Sequence, residues 1–334
     1  MTKISVIIKA LNEEKNITRA IESSLAAVEP FGGEVILADS ASTDRTIEIA
    51  KRYPIKIVQL ENPAERCCGV GPQLGFQHSE GEYVYILDGD MELSKEFIAL
   101  AISRLDQDPE LAGACGFIDE KNASNFEFRG RMKRLHEQRV RADKDVVCLG
   151  GGGLYRRASL ESVGYMSDRN LHGYEEYDLG VRLQGQGWRL LSMPEQSANH
   201  YSYSLGTMQM LWHRLKGGSF FSQGEMLRAS IGSGYWPRPV REIRIVRYLI
   251  GVWAYWIAAL AIIIIAQNVW LGWAAVLAGP LVLWAVLAYR HKSIWHGLYG
   301  TLVWHISAIG TLIGFLRSRK SPEARIASRV LSAC

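Results

Sequence analysis

An α/β fold with a mostly parallel sheet, followed by C-terminal helices of transmembrane or interfacial type, is predicted by three features of this 334-residue sequence. Strand-length apolar runs alternate with helically spaced segments through roughly the first third of the chain. Carboxylates or short polar residues follow directly on several of those runs. Charged residues then almost vanish from Tyr248 to Leu316, where Arg290 and Lys292 are the only Lys, Arg, Asp or Glu. This division predicts a cytosolic α/β domain over residues 1–235, a basic amphipathic helix over 236–247, a membrane domain over 248–316 and a basic tail over 317–334.

The runs Ile4–Ile8, Val35–Ala38, Ile55–Leu60, Tyr83–Leu87 and Ala112–Ile118 mostly lack polar alternation, the pattern of strands buried on both faces. Glu13–Val28, Thr43–Arg52 and Ser94–Leu105 between them have helical spacing, with Ser42 or Thr43 and Ser94 placed as N-caps. A βαβ succession of this kind implies right-handed crossovers, and ligands then bind at the carboxyl ends of the strands. The residues at those ends are Ala10–Glu14, Asp39–Asp44 and Asp88–Asp90.

Beyond Pro239 the pattern changes. Tyr248–Ala266 and Trp270–Tyr289 are each long enough to cross hydrocarbon and carry no charged side chain. Gln267-Asn268 makes the turn of a predicted hairpin over 248–289, with Pro280 a candidate kink. The segment 293–316 contains His296, Thr301, His305, Ser307 and Thr311, and is read either as a third span or as a re-entrant or interfacial helix. Arg238, Arg241, Arg244 and Arg247 precede the first run, and Arg317, Arg319, Lys320, Arg325 and Arg329 follow the last. Such flanks suit an anionic cytoplasmic leaflet. A formal charge of +4 is too small to argue for nucleic acid. The five cysteines show no metal spacing or disulfide framework, and the short run after Lys3 does not read as a signal peptide. The expectation is an inner-membrane protein with its catalytic domain in a reducing cytoplasm.

Asp88-Gly89-Asp90 closes the fourth apolar run. Carboxylates there suit a hard cation such as Mn²⁺ or Mg²⁺, which spreads the charge of a departing diphosphate. A solvated turn is the plainer reading. Asp39-Ser40-Ala41-Ser42-Thr43-Asp44 either caps the next helix or presents a carboxylate to the imide and amide edge of a nucleobase.

With Lys9-Ala10-Leu11-Asn12-Glu13-Glu14, Asp39–Asp44 and Gly81-Glu82-Tyr83 leading into Asp88-Gly89-Asp90, the sequence resembles the family 2 glycosyltransferases of the GT-A fold over about residues 3–220. The resemblance extends to Gly150–Arg157 and Tyr174–Leu190. It implies a nucleotide-sugar donor, with Asp39 on the base, Asp88 on the ribose, Asp90 on metal and diphosphate, and Ala10, Asn12 and Glu13 lining the nucleotide pocket. Two departures are Lys9-Ala10, where the family usually has Pro, and Pro72-Gln73, where it usually has Arg-Asn.

Gly150-Gly151-Gly152-Gly153 allows close backbone approach to a ligand and Arg157 can fork onto phosphate. The resemblance places this segment, including Gly151 and Gly152, beside the donor sugar. Direct displacement by a sugar hydroxyl needs one general base. The family's E-D-x-D-L-x-x-R pattern puts it at Glu176, with Glu175 and Asp178 as alternatives; Arg182 is spaced to pair with Asp178. His200 is a candidate metal or diphosphate contact, or simply a satisfied polar residue. Gln209–Arg214 lacks the order of the processive synthases' Q-x-x-R-W. The basic stretch Arg129, Arg131, Lys133, Arg134, Arg139 and Arg141 suits a lipid pyrophosphate, anionic headgroups or only solvent.

The sequence therefore predicts an inverting, metal-dependent glycosyltransferase using a nucleotide sugar of UDP type. The predicted acceptor is a hydroxyl on a lipid-linked or membrane-associated glycan. Transfer to a polyprenyl phosphate is the nearest alternative, because that nucleophile is already anionic. A nucleotidyltransferase and an inactive membrane scaffold are the readings from other classes.

Overall fold

The computed structural model describes residues 3–121, 139–201 and 205–332. It divides into two compact units, one of residues 1–213 with 319–334 and one of residues 214–318.

The first unit is built on one mixed sheet. β1 (Ile4–Ala10), β2 (Glu34–Asp39), β3 (Lys56–Leu60) and β4 (Tyr83–Asp88) form its parallel part in the order β3-β2-β1-β4. Alternate residues of these strands enter two separate cores. Ile4, Val6, Ile8, Val35, Leu37, Tyr83, Tyr85 and Leu87 face one; Ile7, Ile36, Ala38, Val84 and Ile86 face the other. Burial on both faces explains the missing polar alternation. The first core takes the apolar stripe of α1 (Ile17–Val28), through Ile17, Ala20, Ile21, Ala27 and Val28. It also takes Phe97, Ile98, Ala101 and Leu105 of α4 (Lys95–Gln107). α2 (Thr46–Ala50) follows β2, and α3 (Val70–Phe76) supplies Val70 and Leu74 to the second core.

The expected mostly parallel sheet is corrected beyond β4. Among the described residues the next strands along the chain are β5 (Met91–Leu93), β6 (Leu111–Glu120), β7 (Lys144–Asp145), β8 (Gly153–Arg156) and β9 (Arg189–His200). Only β6 and β9 pair in parallel; β4–β8, β6–β8, β5–β9 and β7–β9 are antiparallel. α5 (Arg157–Ser162) and α6 (Glu175–Gly185) lie between β8 and β9.

A second correction concerns the tail. Residues 319–334 are part of this first unit, and β10 (Ser328–Ser332) extends the sheet antiparallel to β3.

The second unit is helical among its described residues. α8 (Ser222–Gly232), numbered after α7 (Thr207–Lys216), is followed by the short α9 (Arg238–Glu242). The amphipathic helix expected over 236–247 is broken at Ile243, so Arg244 and Arg247 belong to the next helix. Then come α10 (Arg244–Ala266), α11 (Val269–His291, containing Pro280) and α12 (Ile294–Leu316). All three are long and apolar enough to cross a membrane. Gln267 turns the hairpin at φ +48°, and the Asn268 side chain caps α11 by accepting from the Trp270 and Leu271 amides at 3.0 and 3.2 Å.

Candidate active site

Register fixes the site. Ala10 lies opposite Asp39 and Lys9 opposite Asp88, so the carboxyl ends of β1, β2 and β4 come level along one edge of the sheet. Asn12 turns the chain there at φ +59°. Its Oδ1 accepts from the Thr43 amide at 2.8 Å, while its own amide donates to Ser42 Oγ at 2.8 Å. The Glu13 amide donates to Thr46 Oγ1 at 2.8 Å and the Glu14 amide to Asp44 Oδ2 at 3.0 Å. The Asp39–Asp44 loop and the Ala10–Glu14 loop thus brace each other into a shelf.

Asp39 is fully buried. Its Oδ2 accepts from the Ser42 amide at 2.9 Å and from Gln59 Nε2 at 2.8 Å, whereas Oδ1 has no hydrogen-bond partner among the described residues. A buried carboxylate oxygen left without a donor is costly, and the N–H of a nucleobase would relieve it. Gly89 lets the acidic turn press against this shelf: an added Cβ would meet Glu13 Cγ at 2.9 Å and Ala10 Cβ at 3.2 Å.

The second part of the site is acidic. Glu176, in the first turn of α6, accepts from the Gly151 amide at 2.9 Å. Gly151 presents that amide at φ +67°, a conformation suited to glycine. Lys9 Nζ pairs with Asp88 Oδ1 at 2.9 Å and with Glu175 Oε1 at 3.7 Å. Burial followed by the Glu175 charge pushes the Glu176 carboxyl up to about 7, while Lys9 and the Gly151 amide oppose the rise. Burial is also the largest influence on Lys9 and pulls it down. The charges of Asp88, Glu175 and Glu176 outweigh that and hold the ammonium well above its ordinary value. Lys9, Glu175 and Glu176 line one cleft together with Gly152, Gly153 and Tyr155.

Asp90 faces a different cation. His200 Nε2 meets Asp90 Oδ2 at 3.0 Å, and His200 Nδ1 meets Glu120 Oε2 at 2.6 Å. Burial lowers the imidazole, but hydrogen bonds to Asp90 and Glu120 raise it to about 9. Among the described residues no three His, Cys, Asp or Glu converge on one metal position. The donor set nevertheless fits a hard divalent ion that takes one or two protein groups and completes its shell with diphosphate oxygens. A histidine backed by a buried carboxylate is the usual support of a metal-binding imidazole. Asp90 and His200 are the groups that would hold the ion.

The candidates thus fall into groups. Ala10, Asn12, Glu13 and Asp39 form the shelf; Asp88, Glu175, Glu176 and Gly152 gather at Lys9, with Gly151 bonded to Glu176; Asp90 and His200 pair with each other. Asp178 does not join them: it is fully buried against Arg182 at 2.9 Å, whose guanidinium also donates to Tyr165 O at 2.7 Å. Arg157 is a correction. It donates to Gly81 O at 2.6 Å and Ser79 Oγ at 2.8 Å, at the opposite end of β4 from Asp88, because β8 runs antiparallel and carries its end away. Arg129, Arg131, Lys133 and Arg134 lie outside the described residues; Arg139 stacks on Phe117. Pro72-Gln73 has its own use in part: Gln73 Oε1 accepts from the Met166 and Ser167 amides, both at 3.0 Å.

Sequence reasoning missed Lys9, Glu120 and Gln59 as site residues. Glu120 was within reach, since Asp119-Glu120 follows an apolar run just as Asp88–Asp90 does. Gln59 carries no local signal; only the pairing of β2 with β3 brings it to Asp39.

Residues 5–164 match the family model described as Glycosyl transferase family 2. EpsE of Bacillus subtilis strain 168, which bears a provisional glycosyltransferase name, is 28% identical over 204 residues, 58% of this chain and 70% of that one. The dolichol-phosphate mannosyltransferase of Pyrococcus furiosus is 24% identical over 173 residues; the match spans 48% of each chain. Among solved structures, the mannosyltransferase PcManGT from Pyrobaculum calidifontis in complex with GDP-Man and Mn²⁺ superposes with a TM-score of 0.55. It is 18% identical and the match covers 93% of this chain and 87% of that one, which establishes a shared fold. Residues 5–164, just under half of the chain, thus match glycosyl transferase family 2, in keeping with the glycosyltransferase names of these relatives.

Proposed function

We propose that the protein transfers a sugar, with inversion, from a nucleotide sugar to a hydroxyl of a lipid-linked or membrane-associated glycan at the cytoplasmic face of the inner membrane. The observation that carries this reading is Glu176: a half-buried carboxylate, held by the Gly151 amide and brought up to about 7, beside Asp88 and Lys9. A base that titrates near the working pH is best matched to taking a hydroxyl proton. In the reaction the acceptor oxygen gives its proton to Glu176 and bonds to the anomeric carbon. The bond from that carbon to the diphosphate oxygen breaks on the opposite face, and its electron pair leaves with the nucleoside diphosphate.

Asp39 receives the base through its unpartnered oxygen, and the Ala10–Glu13 loop holds the nucleotide against the sheet edge. Lys9 keeps Asp88 and Glu175 apart from Glu176 electrostatically, so that the base is not overwhelmed by like charge. A divalent cation at Asp90 and His200 would supply charge neutralisation to the diphosphate. A UDP donor remains the favoured type; the solved neighbour with GDP-Man makes a guanine nucleotide the competitor.

The test is release of nucleoside diphosphate by the detergent-solubilised protein from a panel of UDP- and GDP-sugars with Mn²⁺ or Mg²⁺. Pyrophosphate release instead would identify a nucleotidyltransferase, and no nucleotide binding at all would leave only a scaffold. Asp39→Asn should weaken donor binding by about 10- to 100-fold, the loss of one charge-assisted hydrogen bond. The name of the Pyrococcus furiosus relative favours a second reading, transfer to a polyprenyl phosphate. That nucleophile needs no base, so unimpaired transfer to it by Glu176→Gln would select this reading.

A further inference from the structure

The apolar unit leaves and rejoins the same folded body. Upstream of it lies the catalytic unit to His213; downstream, residues 319–334 belong to that unit again. The return is firmly bonded. Arg319 pairs with Asp168, and Lys320 Nζ with Glu65 at 2.7 Å. Asn170 Nδ2 donates to Lys320 O at 3.0 Å while the Lys320 amide donates to Asn170 Oδ1 at 2.9 Å. Gln77 makes a similar double contact with Ile326, whose side chain is 1% exposed in the second core. β10 then pairs with β3. One folded body occupies one aqueous compartment, so the chain between its two parts crosses a bilayer an even number of times. Three helices qualify by length and composition, and three is odd.

The helix that departs is identified within the apolar unit. α10 and α11 pack along each other, with Gly279 N donating to Tyr255 OH at 2.7 Å midway along both. α12 carries His296, Thr301, His305, Ser307 and Thr311 along its length. Its ring and hydrogen-bond contacts with α10 reach only from the start to the middle of that helix: Trp304 stacks on Tyr248 at 5.3 Å, Trp253 Nε1 donates to Ala308 O at 3.1 Å, and His305 meets the Trp256 ring edge-on at 5.7 Å. Its second half lies against α8 and the turn before it. A Cβ on Gly310 or Gly314 would collide with Phe220 O or Phe221 O, and one on Gly224 with Thr311 O. α8 carries Gln223, Glu225 and Arg228, and Glu225 pairs with Arg317 at 3.2 Å. A spanning α12 would draw that polar helix into hydrocarbon, where each charged or unpaired group is costly.

We propose that α10 and α11 cross the membrane as a hairpin, with Gln267-Asn268 on the far side, while α12 stays on the catalytic side and lies in the lipid interface. Ile294, Trp295, Leu298 and Leu302 are exposed apolar residues suited to the acyl boundary. Arg290, Lys292 and Arg317 then share the side of the catalytic unit, where anionic headgroups attract them. The inference rests on the reading that the apolar unit meets a bilayer.

The experiment uses the full chain in a bacterial inner membrane, with epitope tags at Met1, between Gln267 and Asn268, after Lys292 and after Cys334, one per variant. Each is probed by protease in intact spheroplasts and in inverted vesicles. The first and the last two tags should be cleaved only in inverted vesicles, and the 267–268 tag only in spheroplasts. Terminal tags on opposite sides overturn the proposal, as does a 267–268 tag on the side of the termini. Val58→Cys/Val330→Cys, residues paired across β3 and β10, should cross-link in the membrane-bound protein; absence of the cross-link removes the premise of the even count. Release of the untagged protein by carbonate washing sinks the membrane reading itself, a separate outcome.

Discussion

The two aspartates of Asp88-Gly89-Asp90 are neighbours in sequence, yet they face different chemistry. Asp88 meets a lysine ammonium; Asp90 meets an imidazole backed by Glu120. Lysine is a fixed point charge without a lone pair at neutral pH, so its side of the motif is electrostatic and stays so throughout a reaction. Histidine exchanges its proton for a metal readily, so its side suits an ion that arrives with the diphosphate. The comparison teaches that a two-carboxylate motif is not one site. Its halves are distinguished by what the rest of the fold brings to each.

The strongest way to break this division is at Glu176, the proposed base on the Lys9 side. Glu176→Gln should lower hydroxyl transfer by about 10²- to 10⁴-fold while donor affinity stays within a few-fold, measured by initial rates and nucleotide titration. An equal loss in donor binding would return Glu176 to the nucleotide site.

Asp90→Asn should raise the Mn²⁺ concentration needed for half-maximal rate by more than about 100-fold, since the partners behind a metal ligand alone are worth 10 to 100. An unchanged metal requirement would remove Asp90 from the metal side. Glu120→Gln, one step further back, should cost about 10-fold in the same titration. If Lys9→Met produced that metal defect instead, the two halves would not be separable.

The smallest effect is on pH. Glu176 must be ionised to act, and its carboxyl is raised to about 7, so the rate should climb as pH rises through that value. Lys9 is one of the influences holding it down. Lys9→Met should therefore move the acid limb of the rate profile upward, by about one pH unit for the loss of one nearby charge. A downward move, or none, would show that Lys9 does not act on Glu176.

Much of the fold was legible because it is written locally. Strands buried on both faces must be apolar throughout, so β1, β2 and β4 stood out, and carboxylates at their ends served no packing purpose. The same local logic marked the three apolar helices. Where pairing is antiparallel and distant, the sequence fell silent: Arg157 looked like a phosphate ligand until β8 was found to carry it away from the site. The tail looked like a basic flank for an anionic leaflet, yet Ile326 enters the core and the strand after it lies on β3.

By itself the sequence determined the acidic turn, the acidic helix start at Glu175–Asp178 and the apolar segment, because each depends on residue types a few positions apart. Only the tertiary structure decided which cation each aspartate meets and where the chain returns. Those outcomes depend on contacts between residues about 80 to 270 positions apart, formed when burial of the sheet brings strand ends together, and no local pattern encodes them.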